Sequence, residues 1–500
     1  MDRTPVIVGV GEVTQRTRNL AEADEPLVLM ERALRACAAD AGGVPLGALD
    51  ALDVVAEYSW PYVDAPGQLA QRLGMKPARQ AYGVAGGESP VRFMHEAALR
   101  IRRGESEVAA IVGAEANYAV AAAERENTAP PWSPKDAKAK LIRGVDYLHP
   151  LAVKLDVAKP ATVYPFFENA AQAAWGQTPR QAQEESARLW AICSGVAVRN
   201  PYAWKQQAYS PEEISQATAE NRLVAWPYTM RMVANPMVNQ GAAVLMMSLR
   251  KARELGVPAH RLVYPWCGAA ADEPMDYLQR DRFHRCAVQE AVLEDVLGRV
   301  GHTGHFNLME LYSCFPVVPK MARRTLALST DAVISVAGGL SFFGAPLNNY
   351  MTHAAAAVVR GLRERDATAL LYGQGGYMTR HHALVLASRP APFNMLDDHY
   401  SVQAEADRRR GPVPVLDIAY RGPAEIETFT VLFDREGAPT HGVVILRSPA
   451  GTRTMARVDR SDAATMNALM DMDVSPVGLA GCITGDADGV PAWSLAEVTV

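Results

Sequence analysis

Short apolar runs bounded by glycine alternate with stretches of helical periodicity over most of the chain. "PVIVGVG" (5–11), "VAAIVGAE" (108–115) and "ATALLYGQGG" (367–376) read as buried strands. "PLVLMERALRACAADAG" (26–42) and "VRFMHEAALRIRRG" (91–104) read as helices between them. This alternation predicts an α/β layered fold. Placing "AALRIRRGESEVAAIVGAE" (97–115) over "AVVRGLRERDATALLYGQG" (357–375) matches helix to helix and strand to strand, with Gly113 on Gly373. Two copies of one α/β unit account for the match; a chance pairing of two generic helix–strand units is the alternative.

The pattern changes twice. Between the halves, residues 118–230 form an insertion rich in Trp, Pro and Gln. Its helix start is "QTPRQAQEESARLWAI", where Thr178 caps and Pro179 takes the first turn. Insertions of this kind shape a binding mouth. After "LVLASRPAP" comes a charged Pro/Gly segment, "EADRRRGPVP" (405–414). Then "AEIETFTVLF", "HGVVILRS", "TRTMARVD" and "AWSLAEVTV" read as strands, interrupted by a helical "DAATMNALM". A small β-barrel of the oligonucleotide/oligosaccharide-binding (OB) type is expected there. The expected division is 1–117 with 231–252, 118–230, 253–390, a linker at 391–412, and 413–500.

A chain of 500 residues suits two or three domains, and 49% hydrophobic with 21% charged residues suits a globular protein. The net charge of -5, with no basic stripe, argues against nucleic acid as a partner. No apolar run reaches about 18 residues, so no membrane span is expected. "MDRTPVIVGVGE" is too short in its apolar part for a signal peptide. Six cysteines with no CxxC pair argue against a zinc ribbon or a disulfide framework and suit a reducing cytoplasm; no metal site is expected.

The two-half plan with its inserted loop region resembles the thiolase superfamily. "HEAALRIRRGESEVAAIVGAE" looks like that family's helix after the nucleophile with the following strand, and "VNQGAAVLMMS" (238–248) resembles its "NDGAAALLL" strand. "ELYSCF" (310–315) looks like the "ELHDCF" motif of sterol-carrier-type thiolases. "AGGLSFFGAP" (337–346) resembles the "NGGAIALGHP" loop, and "LLYGQGG" (370–376) the "CxGGG" loop. The match covers about residues 1 to 388. It implies two duplicated α/β halves in five layers, with the helical insertion and the C-terminal barrel appended.

The resemblance also shows what has changed. The family's nucleophilic cysteine corresponds to Gly87, and the histidine that activates it to Ala345. The second-loop cysteine corresponds to Tyr372, and the Asn or His that holds a water to Tyr312. An acyl-cysteine condensation is therefore excluded at these positions. Cys314 aligns with a cysteine that the family has without using it as nucleophile, and reads as a buried thiol.

Tyrosine at both loops resembles the superfamily's aldolases, which cleave side chains from steroid-like acyl-CoAs beside a separate partner with an OB-type barrel. The implied chemistry is making or breaking a carbon–carbon bond in a β-hydroxyacyl-CoA, with one of Tyr312 and Tyr372 as base and the other as acid. Coenzyme A would be the substrate's carrier, with no other cofactor. Such a base needs its pKa lowered by about 2 units or more. Ser89 and Pro90 are expected to cap and open a helix whose start, with Gly87 and Gly344, would hold the oxyanion. Lys135, Lys138, Lys140 and Arg143 are the expected CoA-phosphate contacts, or else a solvated helix face. The aromatics of "YPFFENAAQAAW" (164–175) suit an acyl channel or the insertion's own core. Pro236 stands where thiolases carry a pantetheine-touching serine. His302, His305, His381 and His382 are near Tyr312 or Tyr372 in the chain only. A catalytically inactive acyl-CoA-binding or regulatory protein, and an acyltransferase with an unrecognised nucleophile, are the alternatives. An OB-type protein partner or self-association goes with the resemblance.

Overall fold

Residues 2–302, 306–485 and 489–496 are described by the computed structural model. The apolar runs form two sheets. The first half supplies β1 (Pro5–Thr14), β2 (Ala51–Val54), β3 (Arg79–Tyr82) and β4 (Val108–Ala116). The insertion contributes the short β5 (Leu223–Ala225) and β6 (Tyr228–Thr229), and β7 (Asn239–Ser248) returns to the first half. The second half holds β8 (Tyr264–Asp272), β9 (Phe306–Leu311), β10 (Thr368–Gly375) and β11 (Arg380–Ala387).

Strand order reveals the duplication. The first sheet runs β1-β7-β4-β2-β3 and the second β8-β11-β10-β9. In each, a central strand (β4 or β10) pairs antiparallel with one neighbour (β7 or β11) and parallel with the other (β2 or β9). Gly113 and Gly373 fall on the two equivalent central strands, β4 and β10. The helices preceding them, Ser89–Arg103 and Tyr350–Arg363, pack against each other and against both sheets. Helix Pro26–Asp40 covers the outer face of the first sheet and helix Ala287–Val300 that of the second. The result is five layers, α-β-α-β-α. Both faces of each sheet are covered, which is why these strands read as continuous apolar runs rather than alternating ones.

The C-terminal region closes into a five-stranded barrel: β12 (Gly422–Phe433), β13 (Pro439–Arg447), β14 (Arg453–Asp459), β15 (Ala480–Gly485) and β16 (Pro491–Leu495). β12 pairs with β13, β13 with β14, β14 in parallel with β16, β16 with β15, and β15 with β12. Numbered within the domain this is the 1-2-3-5-4-1 circuit of an OB barrel. Helix Ala463–Leu469, capped by Asp462, bridges its third and fourth strands. β15, "AGCITG", escapes a pattern search because only Gly481 and Ile483 of its six residues are buried. Part of the expected linker is ordered as helix Gln403–Arg409, tied to the second half through Arg409–Glu294 and Arg410–Glu273 ion pairs.

The barrel is fastened to the insertion. β5 pairs with β12 at Ala225 and Leu432. Thr428 donates to the Phe166 carbonyl, and Asn169 donates to the Phe429 carbonyl at 2.8 Å. Those two partners lie on helix Pro160–Ala174, which contains Pro165. Fully buried Arg453 pairs with Glu427 and donates to the Leu278 carbonyl at 2.8 Å. The next helix, Pro179–Arg199, begins as expected, with a Thr178–Gln181 capping box. No helix among the described residues is long and apolar enough to cross a membrane.

Candidate functional site

β9 and β10 run parallel, so their C-terminal ends open on one side of the sheet, where the loop before helix Ser89–Arg103 also arrives. There the chain encloses a cavity of about 610 Å³, within the usual range for small-molecule sites. Gly86, Gly87, Tyr312, Cys314, Ala345, Asn348, Gln374 and Gly375 form its inner part. Tyr164 of the insertion lines one wall, and Pro236 also borders the space. Arg143, Lys159 and Arg380 are among the residues lining it.

The relation between Gly87 and Tyr312 is the central feature. A Cβ placed on Gly87 would overlap the Tyr312 hydroxyl and stand 2.5 Å from the Gln374 carbonyl oxygen. The phenol thus fills the space that any side chain at position 87 would need. Tyr312 is 7% exposed, and among the described residues its hydroxyl has no hydrogen-bond partner. Burial, aided by Cys314 and Glu88, pushes its pKa well above the ordinary value. The lowered pKa that a phenolate base requires is therefore absent: no cation adjoins the ring to offset desolvation. Tyr312 is a neutral phenol that can donate a proton or a hydrogen bond.

Tyr372 is not its counterpart. It is fully buried and outside the cavity, with its hydroxyl 2.6 Å from His381 Nδ1 and accepting from Gln289 Nε2 at 3.0 Å. His381 Nε2 lies 2.9 Å from the Met378 carbonyl, which only accepts, so Nδ1 accepts from the phenol. Burial lowers the His381 pKa to about 4 and keeps the ring neutral. The expectation that both phenols face one cavity is corrected by the pleat: side chains along β10 alternate between faces, and position 372 looks toward helix Ala287–Val300. A Tyr372→Phe variant should lose about 1 kcal/mol of stability, from the broken His381 and Gln289 bonds. Its ligand affinity at the cavity should stay unchanged; a thermal melt and a calorimetric titration measure the two.

Other expectations are corrected as well. Ser89 is the first helical residue rather than the cap: Glu88 holds the cap position, and the Ser89 hydroxyl donates to the Val84 carbonyl at 2.7 Å. Gly344 adopts φ +114°, open to glycine, and packs against Gln240 rather than lining the cavity. Gly86 N–H donates to Asn348 Oδ1 at 2.9 Å, whereas the Gly87 N–H meets no acceptor among the described residues. Of the four cations expected to meet phosphate, only Arg143 borders the cavity. Lys135 sits over the Trp60 ring at 5.3 Å, Lys138 and Lys140 are exposed elsewhere, and residues 127–143 form a loop rather than a helix face. His382 is buried 2.9 Å from His95 Nδ1, and His302 is not part of the cavity lining. His305 lies outside the described residues.

Several lining groups went unread in the sequence. Gln374 donates to Tyr164 Oη at 2.7 Å and to Cys314 Sγ at 3.2 Å, bracing the inner wall. It stands inside the quoted "LLYGQGG", where attention to the aligned cysteine passed over it. Lys159 and Arg380 carry no motif at all. Burial raises the Cys314 thiol to about 12, so it lines the cavity as a neutral thiol. Tyr164 realises the aromatic wall expected from "YPFFENAAQAAW", while Phe166 and Phe167 join the core.

Comparison with known proteins agrees with this architecture. Residues 402–488 match the family described as the thiolase-like protein type 1 additional C-terminal domain. A monomeric SCP2-thiolase-like protein type 1 from Mycobacterium smegmatis superposes with a TM-score of 0.83 at 28% identity, over 99% of this chain and 100% of that one. An Ltp2-ChsH2(DUF35) aldolase chain gives 0.60 at 18% identity, over 78% of this chain and 99% of its own. Human mitochondrial 3-ketoacyl-CoA thiolase in complex with CoA gives 0.55 at 15% identity, over 78% of this chain and 98% of its own. No curated protein matches the sequence. The chain thus has the thiolase-superfamily fold, resembles sterol-carrier-type thiolase-like proteins along its whole length, and ends in the C-terminal domain of their type 1 group.

Proposed function

We propose that the cavity takes an acyl-CoA and that the protein makes or breaks a carbon–carbon bond in a β-hydroxyacyl-CoA without an acyl-enzyme. The observation that carries this reading is the Tyr312 hydroxyl, without a hydrogen-bond partner among the described residues and lodged in the room a nucleophile at position 87 would need. In the cleavage direction the β-hydroxyl loses its proton and becomes a carbonyl. The Cα–Cβ electron pair passes to the thioester as an enolate. Tyr312 then gives its proton to Cα. The Gly87 N–H offers a donor to the developing oxyanion. The aldolase among the structural neighbours supports the reaction class, and the CoA-bound thiolase supports the carrier.

The test is release of an aldehyde or ketone from a series of β-hydroxyacyl-CoAs by the purified full chain, with acetyl transfer to CoA as the comparison. Carbonyl release without acetyl transfer is the expected result; no release from any chain length overturns the proposed reaction. The neutral state of both Tyr312 and Cys314 favours one second reading, an acyl-CoA-binding protein without turnover. Binding in the absence of release would establish it.

Arg143 and Lys159 are suited to the phosphates of CoA. The double variant Arg143→Ala/Lys159→Ala should weaken CoA affinity about tenfold, equivalent to about 1.4 kcal/mol, with a reduced salt dependence. Lys138→Ala/Lys140→Ala should leave it unchanged. Isothermal titration at two salt concentrations distinguishes them.

A further inference from the structure

Five tyrosines line the cavity, and three of them commit their hydroxyls to backbone carbonyls. Tyr58 donates to Ile142 at 2.7 Å, Tyr164 to Gly376 at 3.0 Å and Tyr377 to Ala158 at 2.7 Å. Tyr312, used above, does not. Nor does Tyr147, half-buried, whose hydroxyl has no hydrogen-bond partner among the described residues.

Among the described residues no Asp or Glu lines the cavity, whereas Arg143, Lys159 and Arg380 do. A cleft lined by one sign of charge favours an anion. The three cations differ in setting: Arg143 and Lys159 are exposed, while the Arg380 side chain keeps only 25% of its surface open. Arg380 opens β11 and stands opposite Gly375 of the inner wall. Its Nη1 donates to the Ala85 carbonyl at 2.6 Å, which fixes the guanidinium beside the glycine loop. Glu88 Oε1 is 4.0 Å away, beyond hydrogen-bond range, so most of the five N–H donors stay unclaimed. The same guanidinium acts electrostatically on the Tyr147 hydroxyl, so the two groups share one corner.

Position decides which anion belongs there. Ala85 and Gly87 are two residues apart, at most about 7 Å along the chain. With the thioester oxygen at the Gly87 N–H, the corner lies close to the reacting carbons. The phosphates of CoA are held away from the thioester by the length of the pantetheine arm, and Arg143 and Lys159 are suited to them. What reaches Arg380 is the acyl group.

We propose that Arg380 and Tyr147 bind a carboxylate carried by the acyl group, so that the cavity's ligand is the CoA monothioester of a short dicarboxylic acid. The inference rests on the acyl-CoA reading and names the substrate class of that site. A carboxylate accepts two guanidinium N–H groups side by side and keeps lone pairs for the phenol. A neutral chain of equal length leaves both donors facing an apolar tail, which is costly where they are enclosed. A site built to bond a polar group rejects the analogue lacking it more strongly than it rejects a change of chain length.

The experiment titrates the full chain with glutaryl-CoA and adipyl-CoA, each against the straight-chain acyl-CoA of equal carbon count, by calorimetry. Wild type should prefer the dicarboxylic thioester about tenfold, the value of one charge-assisted hydrogen bond. Arg380→Met should bring that ratio to about one, and Arg380→Lys should restore part of it. Tyr147→Phe should lower it about threefold. Arg143→Ala/Lys159→Ala should weaken both thioesters and keep the ratio. A melt confirms folding, and Tyr147→Phe, which breaks no hydrogen bond, decides the matter should Arg380→Met not fold. A ratio near one in wild type, or one unchanged in the Arg380 and Tyr147 variants, overturns the assignment. Equal weakening of CoA and both thioesters by Arg380→Met also overturns it, by making the corner a phosphate contact. Failure of wild type to bind CoA or any thioester overturns the acyl-CoA reading instead. Free glutarate then decides the corner: binding that Arg380→Met loses supports it, and no binding overturns it.

Discussion

Replacing Tyr312 by Phe should lower carbonyl release from a β-hydroxyacyl-CoA by about 10²–10³, the loss expected when one preorganised donor is removed from a developing charge. Acyl-CoA affinity should remain within a factor of about two, because among the described residues the hydroxyl makes no bond that fixes the cavity's shape. The ring stays, packed edge-on against Tyr350 at 6.0 Å, so the fold should not change. Steady-state kinetics separates the outcomes. A fall in kcat with constant KM is the signature of an interaction made only in the transition state. A rise in KM alone would make Tyr312 a binding residue and remove the acid from the mechanism.

Installing cysteine at Gly87 should not create a thiolase. The new Cβ meets the Tyr312 hydroxyl and the Gln374 carbonyl together, and the latter belongs to β10 and cannot swing away as a side chain does. Overpacking of this kind costs about 1–3 kcal/mol, and the rigid strand puts Gly87→Cys at about 3 kcal/mol on the same scale. The cysteine would also lack an activating base, since Ala345 occupies the loop position beside it on the lining. Combining Gly87→Cys with Tyr312→Ala should recover part of the loss, a coupling of the kind that neighbouring sites show. Denaturant melts of the four proteins measure it. Simple additivity would show that the phenol and the glycine do not compete for one volume.

The pair of halves and the barrel were legible because they rest on repeated or alternating patterns: helix, strand and glycine recur in the same order, and β12 to β14 are bounded by turn signals. The site was legible only in part. Gly87 and Tyr312 were named separately, yet their shared volume is a tertiary fact, set by where β9 ends against the loop before helix Ser89–Arg103. Tyr372 was misplaced for a reason intrinsic to covered sheets. Every residue of β10 is buried, so no polar alternation marks which side chains face the cavity and which face the helix behind. Glu88 stands in "GGESP" (86–90), but beside a serine with strong capping propensity it gave no sign of holding the cap position itself. The phosphate-facing cations were overestimated because charge density in a loop does not reveal direction. Lys135 spends its charge on Trp60 instead.

Helix Pro160–Ala174 has two clients. Pro160, Ala161 and Tyr164 shape the cavity, while Phe166 and Asn169, less than two turns further on, accept and donate bonds to the barrel's first strand. Whatever shifts that strand shifts the wall. Substitutions far out on the C-terminal domain therefore have a mechanical route to ligand selectivity, and tuning of preferred chain length need not touch any residue lining the cavity.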